Sequence, residues 1–420
     1  MAKFVACVSS LIVLVLLVPI IATGDVEGAK SKPAKSGAEW TLAIYLDSDN
    51  DLGLWAQKDM DEMMMVGSTD AVNVIVFWDT YTGPGRVYKV LKNGLEELRD
   101  CKLNAVEPNM GDPTTLRAFA MYAFESFPAK QRALMCWDHG DDCRGLMFDH
   151  HIPDAGFDLL THQEVAMALA GLKINVLIYA ACIMSTIEVV YEYFASELDI
   201  DYYVANEGYD PMDGFPLEVV MAKLVAQPSM SSLAFSEMLV DEYTYYYEYV
   251  GTAYSQSVTL SVVQVNKAGI VTADFQSMVA ALMIDVEGYA KIVSDGRGRA
   301  NLPWSENGWE RLVDLTTFVK TVHDESLSPQ LVKDIDPLVV SAVVSSSERV
   351  LAGLSDLVVY HRNINTMENK GCHGMAIYFP TSLGSYENCK WIYGSVYDSM
   401  RFAQEGWLDF LHAYWYVSDD

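Results

Sequence analysis

The chain has 420 residues, 51% hydrophobic and 20% charged, a globular composition with length for one large core or two moderate ones. Its 57 acidic residues outweigh 28 basic ones, for a net charge of −29. So acidic a chain repels phosphate backbones and anionic membrane surfaces, which excludes nucleic acid as a natural partner and says nothing of the fold.

The first residues read "MAKFVACVSSLIVLVLLVPIIATG", with Lys3 ahead of an apolar run from Phe4 to Ala22 and small residues after it. That is the layout of a secretory signal over residues 1–24, with Ala22-Thr23-Gly24 as the cleavage site. An uncleaved membrane anchor is the alternative, because the run is close to bilayer-spanning length. Both readings export the rest of the chain to the outside or the cell surface, and membrane contact is expected only without cleavage. Residues 25–39 ("DVEGAKSKPAKSGAE") read as a tether or pro-segment.

From Trp40 onward strands alternate with helical patterns. "WTLAIYLDSD" (40–49) is a buried strand, followed by a helix over 53–66 and the strand "NVIVFWDT" (73–80). "RVYKVLKNGLEELRD" (86–100) is a hairpin turning at Asn93-Gly94. Asp112 caps a helix that Pro113 opens. "RALMCWDH" (132–139) is a strand, 160–171 a helix capped by Thr161, "INVLIYAA" (174–181) a strand, 185–196 a helix and 200–208 a strand. Helices over 216–226 and 231–249, a strand at 257–265, a further long helix, helices near 309–322 and 330–350, the strand "GMAIYFP" (374–380) and a helix over 402–415 complete the chain. This order predicts an α/β fold with a mostly parallel sheet covered by helices on both faces. A catalytic domain is expected over 40–255, with an α/β subdomain over 256–420 packed on it.

Seven cysteines occur, of which Cys7 leaves with a cleaved signal. Cys372 and Cys389 could pair across a turn-rich stretch, Cys101 and Cys143 could pair too, and Cys136 lies within an apolar strand. Cys182 is then a free thiol, which in an exported chain needs a reason.

Two strand ends carry reactive residues: "WDHGDDCRG" with His139-Gly140, and "YAACIMS" with Cys182. In a parallel sheet, neighbouring strand ends open on one cleft. A thiolate needs an imidazole and a positive local field, part of which a helix starting near Ser185 would supply. The backbone N–H groups of Gly140 and Cys182 are natural oxyanion donors there, glycine letting a carbonyl approach closely. Taken singly, a His-Gly turn or a strand cysteine is usually structural; the two together point to nucleophilic catalysis.

The stretches "NMGDPTTLRAFAMYAFESFPAKQRALMCWDHGDDCRG", "LTHQEVAMAL" and "INVLIYAACIMSTIEVVYE" resemble the clostripain family of cysteine peptidases, in the clan of caspases, legumain and gingipains. The likeness runs on through "SVTLSVVQVNKAGI", "GMAIYFP" and "GWLDFLHAYW". It implies a caspase-like α/β/α sandwich, protein or peptide substrates, and an acyl-enzyme mechanism with Cys182 as nucleophile and His139 as its partner. No third catalytic member is implied, and Asp138 is expected to face solvent.

Members usually carry Asp-Ala-Cys at the nucleophile, the aspartate reading a basic P1 side chain. This chain has Ala180-Ala181-Cys182, so the charge of a basic P1 pocket would have to come from Asp210 or Asp213 in "NEGYDPMDGFP". The loop "MFDHHIPDAGFD" (147–158) holds no basic residue for internal activation cleavage, so a single-chain enzyme stands beside a nicked one as an equal alternative, and a monomer is expected. The dyad requires no cofactor. Calcium dependence occurs in relatives, and "DSDNDLG" (47–53) resembles part of a calcium loop without its terminal glutamate, a capping turn being the simpler reading. His150 and His151, with Asp149 and Asp154, are adjacent in the chain and point to opposite faces of an extended segment, so no metal site is assigned. An inactive relative serving as an extracellular binding module is the alternative function.

Overall fold

The computed structural model describes residues 37–104, 107–152, 156–250, 258–302, 311–364, 371–393 and 396–418; the expected signal segment, Cys7, Asp154 and the Cys389 side chain lie outside them. Gly37–Asp420 forms one compact unit. Its strands are β1 (Ala38–Ser48), β2 (Val72–Thr80), β3 (Gly83–Leu91), β4 (Gly94–Glu97), β5 (Ala129–Trp137), β6 (Leu146–Asp149), β7 (Asp158–Leu160), β8 (Lys173–Ala180), β9 (Asp199–Ala205), β10 (Thr259–Val263), β11 (Leu312–Asp314), β12 (Val358–Asn363) and β13 (Ala376–Tyr378). Nine of them form one sheet in the order β12-β10-β9-β8-β5-β1-β2-β3-β4. The five central strands, β9 to β2, are parallel, and antiparallel strands close both edges. Strands from both sides of residue 256 share this sheet, since β10 pairs with β9.

The period of two along each strand divides the apolar runs between two cores. Ala43 and Tyr45 of β1, Leu134 and Cys136 of β5, and Leu177 and Tyr179 of β8 face one core. Trp40, Leu42, Ile44, Met135, Trp137, Ile178 and Ala180 face the other. A strand buried on both faces reads as a continuous apolar run, which is why the central strands were legible.

The helices are α1 (Gly53–Val66), α2 (Pro113–Ser126), α3 (His162–Leu169), α4 (Ile187–Ala195), α5 (Leu217–Ala226), α6 (Ser232–Tyr245), α7 (Ala268–Ile284), α8 (Val286–Arg299), α9 (Leu315–Ser326) and α10 (Pro337–Leu357), with three more between Leu383 and Ser418. Caps set their starts. Asp112 accepts from Thr114 N–H at 2.7 Å ahead of Pro113, and Thr161 forms a reciprocal capping box with Glu164. The hairpin turns where expected, with Asn93 at φ +64°.

Several boundaries differ from the sequence reading, among them β11 (Leu312–Asp314), which stands where the helix expected near 309–322 was to begin. β1 takes Ala38 and Glu39 from the expected tether. The helix expected at 330–350 starts at Pro337, capped by Asp336, and runs to Leu357. β12 follows it without any breaker, so its "VVY" reads as more helix. The helix expected from 231 to 249 ends its α turns at Tyr245 and closes in a π turn. Cys101, Cys136, Cys143 and Cys182 are free thiols. The Cys101–Cys143 pairing considered above does not form; both side chains pack as small apolar groups in the same core.

Candidate active site

The chain leaves β1 to pair β2 on one side and returns through β5, β8 and β9 on the other, so the strand order reverses between β1 and β5. In such sheets the crevice beyond the carboxyl ends at the reversal is where ligands bind. A cleft of about 350 Å³ lies there, walled by Leu52 and Trp55 after β1 and Trp137, Asp138 and His139 at the end of β5. Ala180, Ala181 and Cys182 after β8 and the Tyr209–Met212 loop after β9 complete it, with Gly214.

His139 and Cys182 therefore open on one cavity, as do Ala180 and Asp210. Gly140 backs directly onto the cysteine: a Cβ there would stand 2.7 Å from the Cys182 carbonyl oxygen and 3.0 Å from the Ala181 methyl. Only glycine fits so close an approach. Among the described residues the N–H groups of Gly140 and Cys182 donate to no protein acceptor. Asp213 stands apart from the lining, buried, with its carboxylate accepting from Tyr246 Oη at 3.3 Å.

The turn after Cys182 is strained and clamped. Ile183 adopts φ +52°, a left-handed conformation unfavourable to a β-branched residue. Its N–H donates to Gly208 O at 2.7 Å, and Ser185 N–H donates to Asn206 O at 2.6 Å. These bonds tie the cysteine loop to the end of β9.

Electrostatics at the sulfur run against the sequence expectation. α4 begins only at Ile187, capped by Thr186, and Ser185 lies outside it. The Cys182 thiol donates to Asp210 O at 3.7 Å and accepts from Asp210 N–H at 3.3 Å. Burial first, then the Asp210, Asp141 and Asp138 carboxylates, push it up to about 12. At rest it is a protonated thiol, and among the described residues no hydrogen bond joins it to His139.

His139 instead has a partner the sequence reading missed. Its Nε2 lies 2.8 Å from Asp51 Oδ1 in the loop after β1, and that bond holds Asp51 below the usual carboxylate range. The ring meets Phe148 edge-on at 6.1 Å between centroids. Asp138 is a correction: it is buried rather than solvent-facing, accepting from Asn50 Nδ2 at 2.7 Å and from the Phe148 N–H. Burial lifts it to about 7. The one signal for Asp51 was its place in "DSDNDLG", beyond the first strand, which resembled a calcium loop or a cap.

Asp210 lines the cavity, as does the more deeply buried Asp138. Burial raises Asp210 to about 7, and Tyr243 Oη donates to it at 2.6 Å. His150 and His151 diverge: His151 Nδ1 lies 2.6 Å from Asp49, while the His150 ring lies against Phe157. Among the described residues no three His, Cys, Asp or Glu side chains are grouped to hold a metal ion.

The parallel α/β sandwich thus brings a histidine and a cysteine to adjoining strand ends, residue types that nucleophilic thiol chemistry uses. The family description "Clostripain family", a peptidase family, matches residues 44–415, and the chain belongs to that family. It is thus a cysteine peptidase, and the resemblance read from its sequence holds. Among solved structures, a secreted C11 cysteine protease of Bacteroides thetaiotaomicron bound to an irreversible peptide inhibitor is similar, at 16% identity and TM-score 0.63, covering 89% of this chain and 99% of that one. An inactive zymogen C11 protease of Parabacteroides distasonis is similar at 15% identity and TM-score 0.58, covering 89% and 99%. A second B. thetaiotaomicron structure, "iotapain", gives 15% and 0.56, covering 89% and 100%. These likenesses carry the fold. A comparison with curated proteins finds no match.

Proposed function

We propose that the chain is an exported, single-chain, monomeric cysteine endopeptidase in which Cys182 and His139 form the catalytic dyad. The observation that carries this reading is the shared cleft: thiol and imidazole line one cavity, and the Gly140 backbone lies directly against Cys182. The thiol starts protonated, so His139 acts first as a general base. As the Cys182 proton passes to His139, the sulfur adds to the scissile carbonyl carbon. The oxyanion is received by the N–H groups of Gly140 and Cys182. The C–N bond then breaks as the His139 imidazolium protonates the leaving amine. Water, deprotonated by His139, next attacks the thioester and releases the acid and the free thiol.

P1 is read as basic, with Asp210 rather than Asp213 as the acid. Leu52, Trp55, Trp137, Ala180 and Met212 would cover the aliphatic stem of a lysine or arginine while its charge meets Asp210. Because Asp210 titrates at about 7, the preference for a basic P1 should strengthen as pH rises through that value.

The test is a P1-diverse peptide library offered to the full chain and to Cys182→Ala, with and without calcium and reductant. Cleavage after basic residues that vanishes in the variant supports the reading. A library left intact under all four conditions overturns it in favour of a binding module.

A further inference from the structure

The loop that follows His139 is held from a distant part of the chain. Arg311, just ahead of β11, is buried, and its Nε donates to Asp142 Oδ2 at 2.5 Å while its Nη2 pairs with Asp141. Its own carbonyl accepts from Phe379 N–H at 2.5 Å, fixing the arginine backbone beside β13. Asp142 sits at φ +40°, a conformation that persists only when its surroundings hold it. A second hold comes from His162, kept neutral by burial at about 4, whose Nε2–H donates to Asp142 O at 2.7 Å and whose Nδ1 accepts from Tyr193 Oη at 2.8 Å.

One of these two carboxylates also matters to the sulfur. Asp141 is among the groups whose negative field opposes ionisation of Cys182, with Asp210 and Asp138. Tyr209, at the cleft wall, feels both Arg311 and the Asp141–Asp142 pair. A guanidinium in contact with both carboxylates cancels part of that field, and the loop it steadies carries His139 and Gly140.

We propose that Arg311 is a positioning residue of the peptidase reaction: it neutralises Asp141 and Asp142, sets the His139–Gly140 loop against Cys182, and so eases removal of the thiol proton. This rests on the Cys182–His139 reading above.

The test measures the rate of Cys182 alkylation by iodoacetamide at pH 8, peptide by peptide, in the full chain, together with kcat, KM and Tm. Arg311→Met should slow Cys182 alkylation about tenfold and lower kcat at least about tenfold, with KM nearly unchanged. Arg311→Lys keeps the charge and should restore the alkylation rate while recovering only part of kcat, because the fork geometry is lost. Asp141→Asn should speed alkylation, and adding it to Arg311→Met should return the rate toward the parent value. If Arg311→Met does not fold, the lysine and Asp141→Asn variants carry the comparison. A lowered Tm with no change of the alkylation rate in any variant overturns the proposal, leaving Arg311 a structural tie. If the parent cleaves no peptide while the rates move as stated, the peptidase reading fails and the control of Cys182 by Arg311 stands.

Discussion

The carboxyl ends of β1 and β2 adjoin those of β5 and β8 in the same sheet, yet the two pairs treat their ionisable groups in opposite ways. Asp47 and Asp79 are direct neighbours in the parallel register of β1 and β2, and both are wholly buried. With Asp149 nearby, burial lifts all three above the usual carboxylate range, Asp79 to about 8 and Asp149 to about 6. At the ends of β5 and β8, His139 and Cys182 stand partly open on a cleft. Chemistry at a strand end thus depends on what roofs it. The β1–β2 end is sealed over its carboxyls, whereas the β5–β8 end opens His139 and Cys182 on a cleft.

The largest expected effect lies at the open end. Cys182→Ala should lower kcat/KM at least about a thousandfold with Tm little changed, and His139→Ala should cost about 10²–10⁴. Both are read by steady-state peptide hydrolysis. A residual rate in Cys182→Ala above that margin would dissolve the contrast, because the open end would then not be the seat of chemistry.

Next comes the acid at the cleft floor. Asp210→Asn should lower kcat/KM for basic P1 peptides roughly ten- to a hundredfold and leave apolar P1 peptides nearly unaffected. Equal losses on both would show that Asp210 serves the fold and not selection.

The sealed end predicts a stability signature of its own. Carboxyls raised in the folded state bind protons that the unfolded chain has released, so their contribution is fully present below about pH 4. It is lost as pH rises through the folded values: about 6 for Asp149 and about 8 for Asp79. Tm should therefore fall between pH 5 and pH 8. Asp79→Asn should flatten that slope and gain on the order of 1–2 kcal/mol at pH 8, measured by denaturant unfolding at both pH values. A Tm that rises across that interval would refute the sealed-end account.

The smallest effect is expected at Asp51, which links the two ends by reaching from the β1 loop to His139. Its side chain is 73% exposed, so water screens the pair. Asp51→Ala should lower kcat by no more than about fivefold and shift the acid limb of the pH–rate profile. A far larger loss would make Asp51 a full member of the catalytic set.

Much of this arrangement was legible in the residues. The central strands showed as unbroken apolar runs, and the capping residues marked the starts of α2 and α3. His139 and Cys182 were found because both directly follow such runs. Ala180 was seen as a missing acid, and it does line the cleft. β12 was missed because nothing in "VVYHRN" separates it from the helix before it, and tertiary pairing with β10 overrides that local preference. Asp51 and Arg311 were missed because their partners lie 88 and about 170 residues away in sequence, where no spacing rule reaches.

By itself the sequence determined the α/β order and the strand ends that present His139 and Cys182. These follow from backbone sterics, side-chain period and local capping, which act over a few residues. Tertiary structure alone decided that Asp210 faces the cleft while Asp213 does not, that Cys182 rests as a thiol, that Asp51 holds His139, and that Arg311 answers the charges of Asp141 and Asp142. Those are matters of burial and charge. Both are sums over neighbours brought together from distant parts of the chain, and they have no value until it has folded.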